Sequence, residues 1–107
     1  MADAYRVVLV TAPNAATARR IARGLVENKL AACVNVVPGL VSHYRWRGRL
    51  CADSELLLVI KTRAPLWRRL ERFVKENHPA RVPEIISLPI RGGSRDYLAW
   101  LSESTRP

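Results

Sequence analysis

Two histidines and two cysteines are the side chains of this 107-residue chain best suited to bind a transition metal. Thiolate suits Cu(I), whereas imidazole suits Cu(II) and other divalent cations. A tight site needs three or four ligands, but the shortest spacing among the four residues is eight positions, from His43 to Cys51. We therefore take His43, Cys51 and His78 as candidate metal ligands for copper or another divalent cation, with modest affinity expected.

His78 and Cys33 each have a structural interpretation that we favour over metal binding. His78 stands before Pro79 at the predicted end of a helix, where a donor side chain can satisfy free carbonyl groups. Cys33 lies among apolar neighbours, and a small buried thiol is common in protein cores. We therefore expect both residues to have a structural role in preference to metal binding.

A hairpin turn predicted at Arg47-Gly48 brings Cys51 back toward the preceding strand. Cys51 should lie opposite Arg45, one step along the same strand face from His43, which makes His43 and Cys51 the predicted ligand pair within the chain. Cys33 lies far from this turn, beyond the reach of a disulfide. Two cysteines without zinc-finger spacing are expected to be free thiols.

Three polar residues, Asn35, Lys61 and Glu84, interrupt apolar strand sequence, and a polar group in such a place must be exposed or paired. Lys61 and Glu84 could form a partly buried pair lining a cleft between subunits, or they could be two solvent-facing strand ends. Tyr44 and Trp46 are two residues apart and share a strand face. They could pack on a neighbouring subunit or form a cross-strand aromatic cluster.

No arrangement of residues typical of catalysis is present in the sequence. No serine lies in a nucleophile elbow, and the histidines have no catalytic spacing. Gly92-Gly93 indicates a turn and not a phosphate-binding loop. We expect no enzymatic activity and no required cofactor.

The formal net charge is +9, and 15 of the 18 basic residues are arginine. Such a charge attracts nucleic acid. However, the basic residues form no run of five or more, and the third strand lacks the aromatic residues of an RNA-binding sheet. A solvated basic surface is favoured, with no specific nucleic-acid partner and only weak, salt-sensitive binding.

The sequence also bears on the compartment. The longest apolar run, Leu56–Ile60, is far shorter than the roughly 20 residues of a membrane span, so no membrane partner is expected. Met1-Ala2-Asp3 does not resemble the start of a signal peptide. We expect a cytoplasmic protein.

Hydrophobic periodicity predicts the element order β-α-β-β-α-β-α. The predicted strands are 5–11, 32–37 with an interruption at Pro38-Gly39 and continuation to Trp46, Glu55–Thr62, and 84–90. The first helix is capped by Asn14 and ends near Leu30, the second begins at Ala64-Pro65 and stops at His78-Pro79, and the third is capped by Ser94.

This order indicates an α+β fold, a ferredoxin-like split βαβ sandwich (βαββαβ plus a C-terminal helix), in a single domain of residues 1–107. Two helices would cover one face of a four-stranded antiparallel sheet. The third strand has five consecutive apolar residues, Leu56–Ile60, so both of its faces require burial. The sequence therefore predicts an oligomer that covers the open face.

Seven segments together resemble the CutA divalent-cation-tolerance family from about Val7 to Leu101. Their order and spacing carry the resemblance. They are Val10-Thr11-Ala12-Pro13-Asn14, Leu30-Ala31-Ala32-Cys33-Val34-Asn35, Ser42-His43-Tyr44-Arg45-Trp46-Arg47-Gly48, Ile60-Lys61-Thr62, His78-Pro79, Pro83-Glu84-Ile85 and Tyr97-Leu98-Ala99-Trp100.

The resemblance implies a homotrimer, similar in architecture to PII signalling proteins, in which the long hairpin reaches neighbouring subunits. It implies a role in tolerance of copper and other divalent cations, with metal or a small ligand bound at subunit clefts. A PII-like signalling or adaptor module that binds other proteins is the alternative. The candidate residues for the inter-subunit cleft are Cys33, Asn35, Tyr44, Trp46, Lys61, Glu84 and Trp100.

The chain also departs from the family pattern at the copper ligands. Some members have a cysteine where this chain has Val10 and a second histidine where it has Asn77. A copper site built from those groups would keep only His78.

Overall fold

A computed structural model describes residues 4–107 of the chain, so Met1-Ala2-Asp3, on which the expectation about a signal peptide rests, lies outside the described residues. The element order is the predicted one. The elements are β1 (Tyr5–Ala12), α1 (Ala15–Glu27), β2 (Cys33–Trp46), β3 (Arg49–Arg63), a 3-10 turn (Ala64–Leu66), α2 (Trp67–Asn77), β4 (Ile85–Pro89) and α3 (Arg95–Ser104).

The four strands form one antiparallel sheet in the order β2-β3-β1-β4. β2 and β3 make a long hairpin that extends beyond the other strands. A two-residue turn joins them, with φ of 50° at Arg47 and 78° at Gly48, a conformation that favours glycine at the second position. Because this turn lets the ladder run to the pair Trp46–Arg49, β3 begins at Arg49 and not at Glu55 as predicted.

A bulge divides the hairpin where the sequence places Pro38-Gly39. Val37 pairs with Leu57 and Leu40 pairs with Glu55, so two residues of β2 stand against one of β3. Gly39 has φ of 87°, which a residue with a Cβ rarely adopts. β2 nevertheless runs unbroken from Cys33 to Trp46, so the predicted interruption is a bulge within one strand, and the bulge bends the hairpin.

The hydrophobic core lies between the sheet and the pair α1–α2. Its central side chains are fully buried and come from both layers: Val8, Val10, Leu58 and Ile60 from the sheet, and Ile21, Leu25, Leu70 and Val74 from the helices. The two helices approach closely at Gly24, where an added Cβ would stand 2.3 Å from Cζ of Phe73. These helical side chains recur at four-residue intervals, as on one face of an amphipathic helix, but Val26, which periodicity places on the same face of α1, is 44% exposed.

Local chemistry sets the helix ends. Asn14 caps α1 by accepting the Thr17 N–H at 2.8 Å, and Ser94 caps α3 by accepting the Tyr97 N–H at 3.4 Å. α1 ends at Glu27 and not near Leu30, because Lys29 takes a positive φ of 57° that stops the helix. His78 has extended backbone before Pro79, so α2 ends as predicted.

We call the second face of the sheet the open face. Residues that point to it alternate along each strand with residues that point to the core. Val7 and Leu9 of β1 and Leu57 and Val59 of β3 point to the open face and are only half-buried. The sequence did not indicate that α3 covers one end of this face. There Tyr5 and Ser102 share a hydrogen bond of 2.7 Å between their hydroxyls, and the Arg63 Nε donates to Thr105 Oγ1 at 2.7 Å.

Candidate functional site

The structure divides the predicted site residues into two groups. One group lies on the open face beside α3 and contains Cys33, Asn35, Lys61 and Trp100; we call it the α3 cluster. The other group lies where the β2–β3 hairpin passes the segment 80–84 and contains Tyr44, Trp46 and Glu84 together with His43 and His78. Sequence reasoning assigned the seven cleft candidates to clefts between subunits, but within a single chain they occupy two places, and the metal candidates His43 and His78 lie with the second group.

Lys61 organises the α3 cluster. It pairs across the sheet with Cys33, and its ammonium donates to the Asn35 side-chain oxygen. The Cys33 thiol lies 3.9 Å from the same oxygen. Lys61 lies inside apolar strand sequence and therefore requires a partner. Within the chain that partner is Asn35 and not Glu84.

Cys33 does not belong to the core, which corrects the expectation of a fully buried thiol. It is half-buried and free, and so is Cys51. The pairing with Lys61 places Cys33 on the open face, because residues directly opposite each other in an antiparallel pair point to the same side. The prediction that both cysteines are free thiols is confirmed.

Tyr97 of α3 completes this cluster and was not singled out from the sequence. Its ring lies 5.4 Å from the ring of Trp100, at an interplanar angle of 43°. Burial, and secondarily the neighbouring Cys33 thiol, raise the pKa of Tyr97. Helical periodicity predicted Tyr97 only as part of the apolar face of α3. It could not predict the contact between α3 and β2, because that contact depends on tertiary packing.

The second group lines a cavity of about 720 Å³, which we call the hairpin cleft. Aromatic, imidazole, carboxylate and guanidinium groups meet there with a short apolar segment. The lining residues are Thr11, Ser42, His43, Tyr44, Trp46, Glu55, His78, Ala80, Arg81, Val82, Pro83 and Glu84. This volume and mixture of groups suit a small polar ligand with an apolar part.

Tyr44 is held against the other strand of the hairpin by its hydroxyl, which donates to the Asp53 carboxylate. This hydrogen bond, more than burial or the negative charges of Asp53, Cys51 and Glu55, raises the pKa of Tyr44 to about 12. Asp53 and Glu55 were not predicted as site residues. Counting pairs outward from a two-residue turn would have placed Asp53 diagonally opposite Tyr44.

His78 closes the inner end of the hairpin cleft, and both of its ring nitrogens are engaged. Ala80 N–H donates to Nδ1 at 3.0 Å, and Nε2 lies 2.8 Å from the Thr11 carbonyl oxygen. Because a carbonyl can only accept, Nε2 carries the proton and the ring is the neutral Nε2–H tautomer. His78 therefore ties the end of α2 to β1, and a metal ion would have to displace one of these bonds.

The predicted ligand pair His43–Cys51 is wrong in its register. Cys51 lies opposite Tyr44, and His43 lies opposite Ala52. Counting outward from the turn at Arg47-Gly48 gives Tyr44 and not the predicted Arg45 as the partner of Cys51, and a difference of one position moves a side chain to the other face. His43 and Cys51 consequently point to opposite faces of the hairpin.

Lys61 and Glu84 are also not paired within the chain. Lys61 lies in the cross-strand row of Val7 and Leu88, whereas Glu84 lies four residues before Leu88. Four residues of strand span about 13 Å. Lys61 is not a solvent-facing strand end either, because it is half-buried within β3 and donates to Asn35, whereas Glu84 is exposed just before β4.

Within residues 4–107, no group of three or more His, Cys, Asp or Glu side chains is placed to hold a metal ion. In the same part of the chain, no helix is both long and apolar enough to cross a membrane.

Comparison with known proteins gives the family. A model of the family described as CutA1 divalent ion tolerance protein matches residues 6–104. The divalent-cation tolerance protein CutA of Thermus thermophilus is 54% identical over 99 residues, covering 92% of this chain and 96% of that protein. The chloroplastic protein CutA of Arabidopsis thaliana is 53% identical over 94% of this chain, which spans 55% of that longer protein.

A solved structure agrees with the sequence relatives. The divalent cation tolerance protein from Thermus thermophilus superposes with a TM-score of 0.93 at 53% identity, covering 95% of this chain and 99% of that one. The family match therefore extends through all four strands and three helices of the fold. The chain belongs to the CutA1 divalent ion tolerance family.

Proposed function

We propose that the chain acts as a homotrimer in divalent-cation tolerance and binds a metal ion or a small ligand at clefts between subunits. The observation that carries this proposal is the open face. Around its half-buried centre, Val37, Ile86 and Leu88 are 43%, 48% and 45% exposed in the single chain. Exposed apolar area that continues over all four strands is typical of an interface between proteins.

The open face continues onto the hairpin, which supports an assembly in which the hairpin contacts another copy. Leu57, Glu55 and Asp53 are every second residue of β3 and therefore point to the same side of the sheet. The bulge shifts β2 by one residue, so that Tyr44 joins this side. When the hairpin of one copy packs head-to-tail on the body of the next, the assembly closes into a ring if the rotation between copies closes. Three is the subunit number that the family resemblance implies, and the strand order β2-β3-β1-β4 supports the ferredoxin-like subunit.

The hairpin cleft is the proposed ligand site, because it would lie at the edge of this assembly. Glu55 and Glu84 supply carboxylates, Arg81 supplies a cation, and Trp46 supplies an apolar wall. The candidate copper ligands do not fit a tight site within one chain, since His78 uses both nitrogens and His43 and Cys51 point apart. A metal site would therefore combine groups of two copies.

The adaptor alternative also has an observation in its favour. Leu50, on the hairpin face opposite Tyr44 and Trp46, is 80% exposed, the highest exposure of a large apolar side chain among residues 4–107. A protein partner could bury it. We propose further that the chain is a single CutA-like domain without enzymatic activity, needs no cofactor, and works in the cytoplasm.

Copper titration by calorimetry tests the metal part of the proposal. We expect modest affinity, a Cu(II) component that His78→Ala removes, and a Cu(I) component that Cys51→Ser removes, with His43→Ala acting independently of Cys51→Ser. Lys75→Ala, on an exposed helix, is the control. If the three changes together leave the titration unaltered, copper binding through these residues fails for this chain and the adaptor function is preferred.

A further inference from the structure

The outer surface of α1 carries more positive charge than its carboxylates balance. All of its charged side chains are exposed, including the one in the turn that follows. They are Arg19, Arg20, Arg23 and Lys29 against Glu27. Glu27 is bound to Arg23 at 3.1 Å, and Arg20 donates to the Asn77 carbonyl at 2.9 Å. Arg19 and Lys29 have no ion-pair partner among residues 4–107.

The outer surface of α2 repeats the imbalance. It carries Arg68, Arg69, Arg72 and Lys75 against Glu71 and Glu76. Glu71 is bound to Lys75 at 3.2 Å. Within the described part of the chain, none of the three arginines forms an ion pair. The two helices pack side by side through Gly24 and Phe73, so both sets of charges belong to one surface.

This surface suits phosphate groups better than a protein or a lipid partner. Protein interfaces have an apolar core and interfacial helices insert apolar side chains, but Val26 is the one large apolar residue exposed on α1 or α2. The planar guanidinium of arginine binds phosphate through two parallel hydrogen bonds. Phosphate contacts need no apolar area, because release of counterions drives them.

The lengths of the two helices also agree with the spacing of phosphates along a nucleic-acid duplex. α1 has 13 residues and α2 has 11, so they are about 20 Å and 16 Å long. A duplex presents one phosphate charge per about 1.7 Å of its axis, so a stretch of about 20 Å offers about twelve phosphates. Both helices lie on the side of the sheet opposite the open face, so an assembly formed through the open face would leave this surface accessible.

We infer that the outer surface of α1 and α2 binds the phosphate backbone of nucleic acid without reading its sequence. The proposal goes beyond cation tolerance and does not depend on it. It locates the charge-driven binding expected from the sequence on one surface, and it assigns no part to the aliphatic sheet.

Fluorescence anisotropy with labelled duplexes of about 20 base pairs and unrelated sequences, between about 50 and 200 mM salt, tests the inference. The slope of log affinity against log salt is negative. The triple variant Arg68→Gln, Arg69→Gln, Arg72→Gln should reduce its magnitude by about 2.7, at about 0.9 per phosphate contact. The matched control Arg91→Gln, Arg95→Gln, Arg106→Gln removes the same charge elsewhere and should reduce the magnitude of the slope by less than about 1. Replacing Arg68, Arg69 and Arg72 by Lys should preserve the slope.

Four outcomes would overturn the inference: no binding of the unaltered chain at the lowest salt, equal losses in the test and control triples, clear preference for one duplex sequence, or tighter binding to phosphatidylglycerol vesicles that depends on the same arginines. The last outcome would assign the surface to a membrane.

Discussion

The Tyr44 hydroxyl donates a hydrogen bond to the Asp53 carboxylate and thereby connects the two strands of the hairpin near its turn. Tyr44 and Asp53 are diagonal neighbours in a ladder that begins at Trp46 and Arg49, and the turn between these two residues sets the register. The hydrogen bond also positions Tyr44 on the wall of the hairpin cleft.

The first prediction follows from this pair. The folded-state pKa of Tyr44, about 12, exceeds the ordinary value of 10.0. The hydrogen bond therefore stabilises the fold fully below pH 10, and this stability is lost as the pH rises toward 12. Asp53→Asn should lower the pKa of Tyr44 toward its ordinary value in an absorbance titration, whereas Glu55→Gln should change it less. An unchanged titration in Asp53→Asn would show that Asp53 does not hold the phenol.

Gly24 gives a prediction about stability. Alanine improves helix propensity by about 1 kcal/mol, but its Cβ would overlap the Phe73 ring, and overpacking costs about 1–3 kcal/mol. Gly24→Ala should therefore lower the free energy of unfolding by about 1 kcal/mol in urea denaturation. In a Phe73→Leu background the same change should become stabilising. Stabilisation by Gly24→Ala in both backgrounds would mean that the ring moves away freely.

His78 should matter for the fold irrespective of copper. His78→Ala removes the bonds to Thr11 and Ala80, each worth about 0.5–1.5 kcal/mol. We expect lower stability in urea denaturation without added metal, and a smaller loss in His78→Asn, whose amide can replace one bond. A metal-free stability equal to that of the unaltered chain would remove the structural role assigned to this histidine.

Trp46 should contribute to assembly more than to folding of the subunit. It is 41% exposed in the single chain and lies on the hairpin side that continues the open face. Truncation of a buried interface aromatic costs roughly 2 kcal/mol or more per interface. Trp46→Ala should therefore shift dissociation to higher protein concentration in sedimentation experiments. Leu50→Ala, on the opposite hairpin face, is the control, and equal effects of both changes would contradict the assigned interface.

Local chemistry made much of the fold predictable. Asn14 and Ser94 cap helices through their own side chains, and Pro79 ends α2 by restricting His78. These effects act over a few residues, so the sequence displays them directly. The same is true of the bulge at Gly39, where a φ of 87° favours glycine.

The site was less predictable because it depends on register and packing. A hairpin register wrong by one position placed Cys51 beside His43, although the two point to opposite faces. Contact between Tyr97 and the open face has no local signal at all. Lys61 was recognised as a group that needs a partner, but the choice of Asn35 over Glu84 depends on how the strands align.

The central claim is that the open face is covered by other copies of the chain. Multi-angle light scattering at micromolar concentration tests it directly, with the elution volume as a check on shape. We predict a mass of three times 12.1 kDa. A mass of 12.1 kDa, that of a single chain, would contradict the account of both the open face and the clefts between subunits.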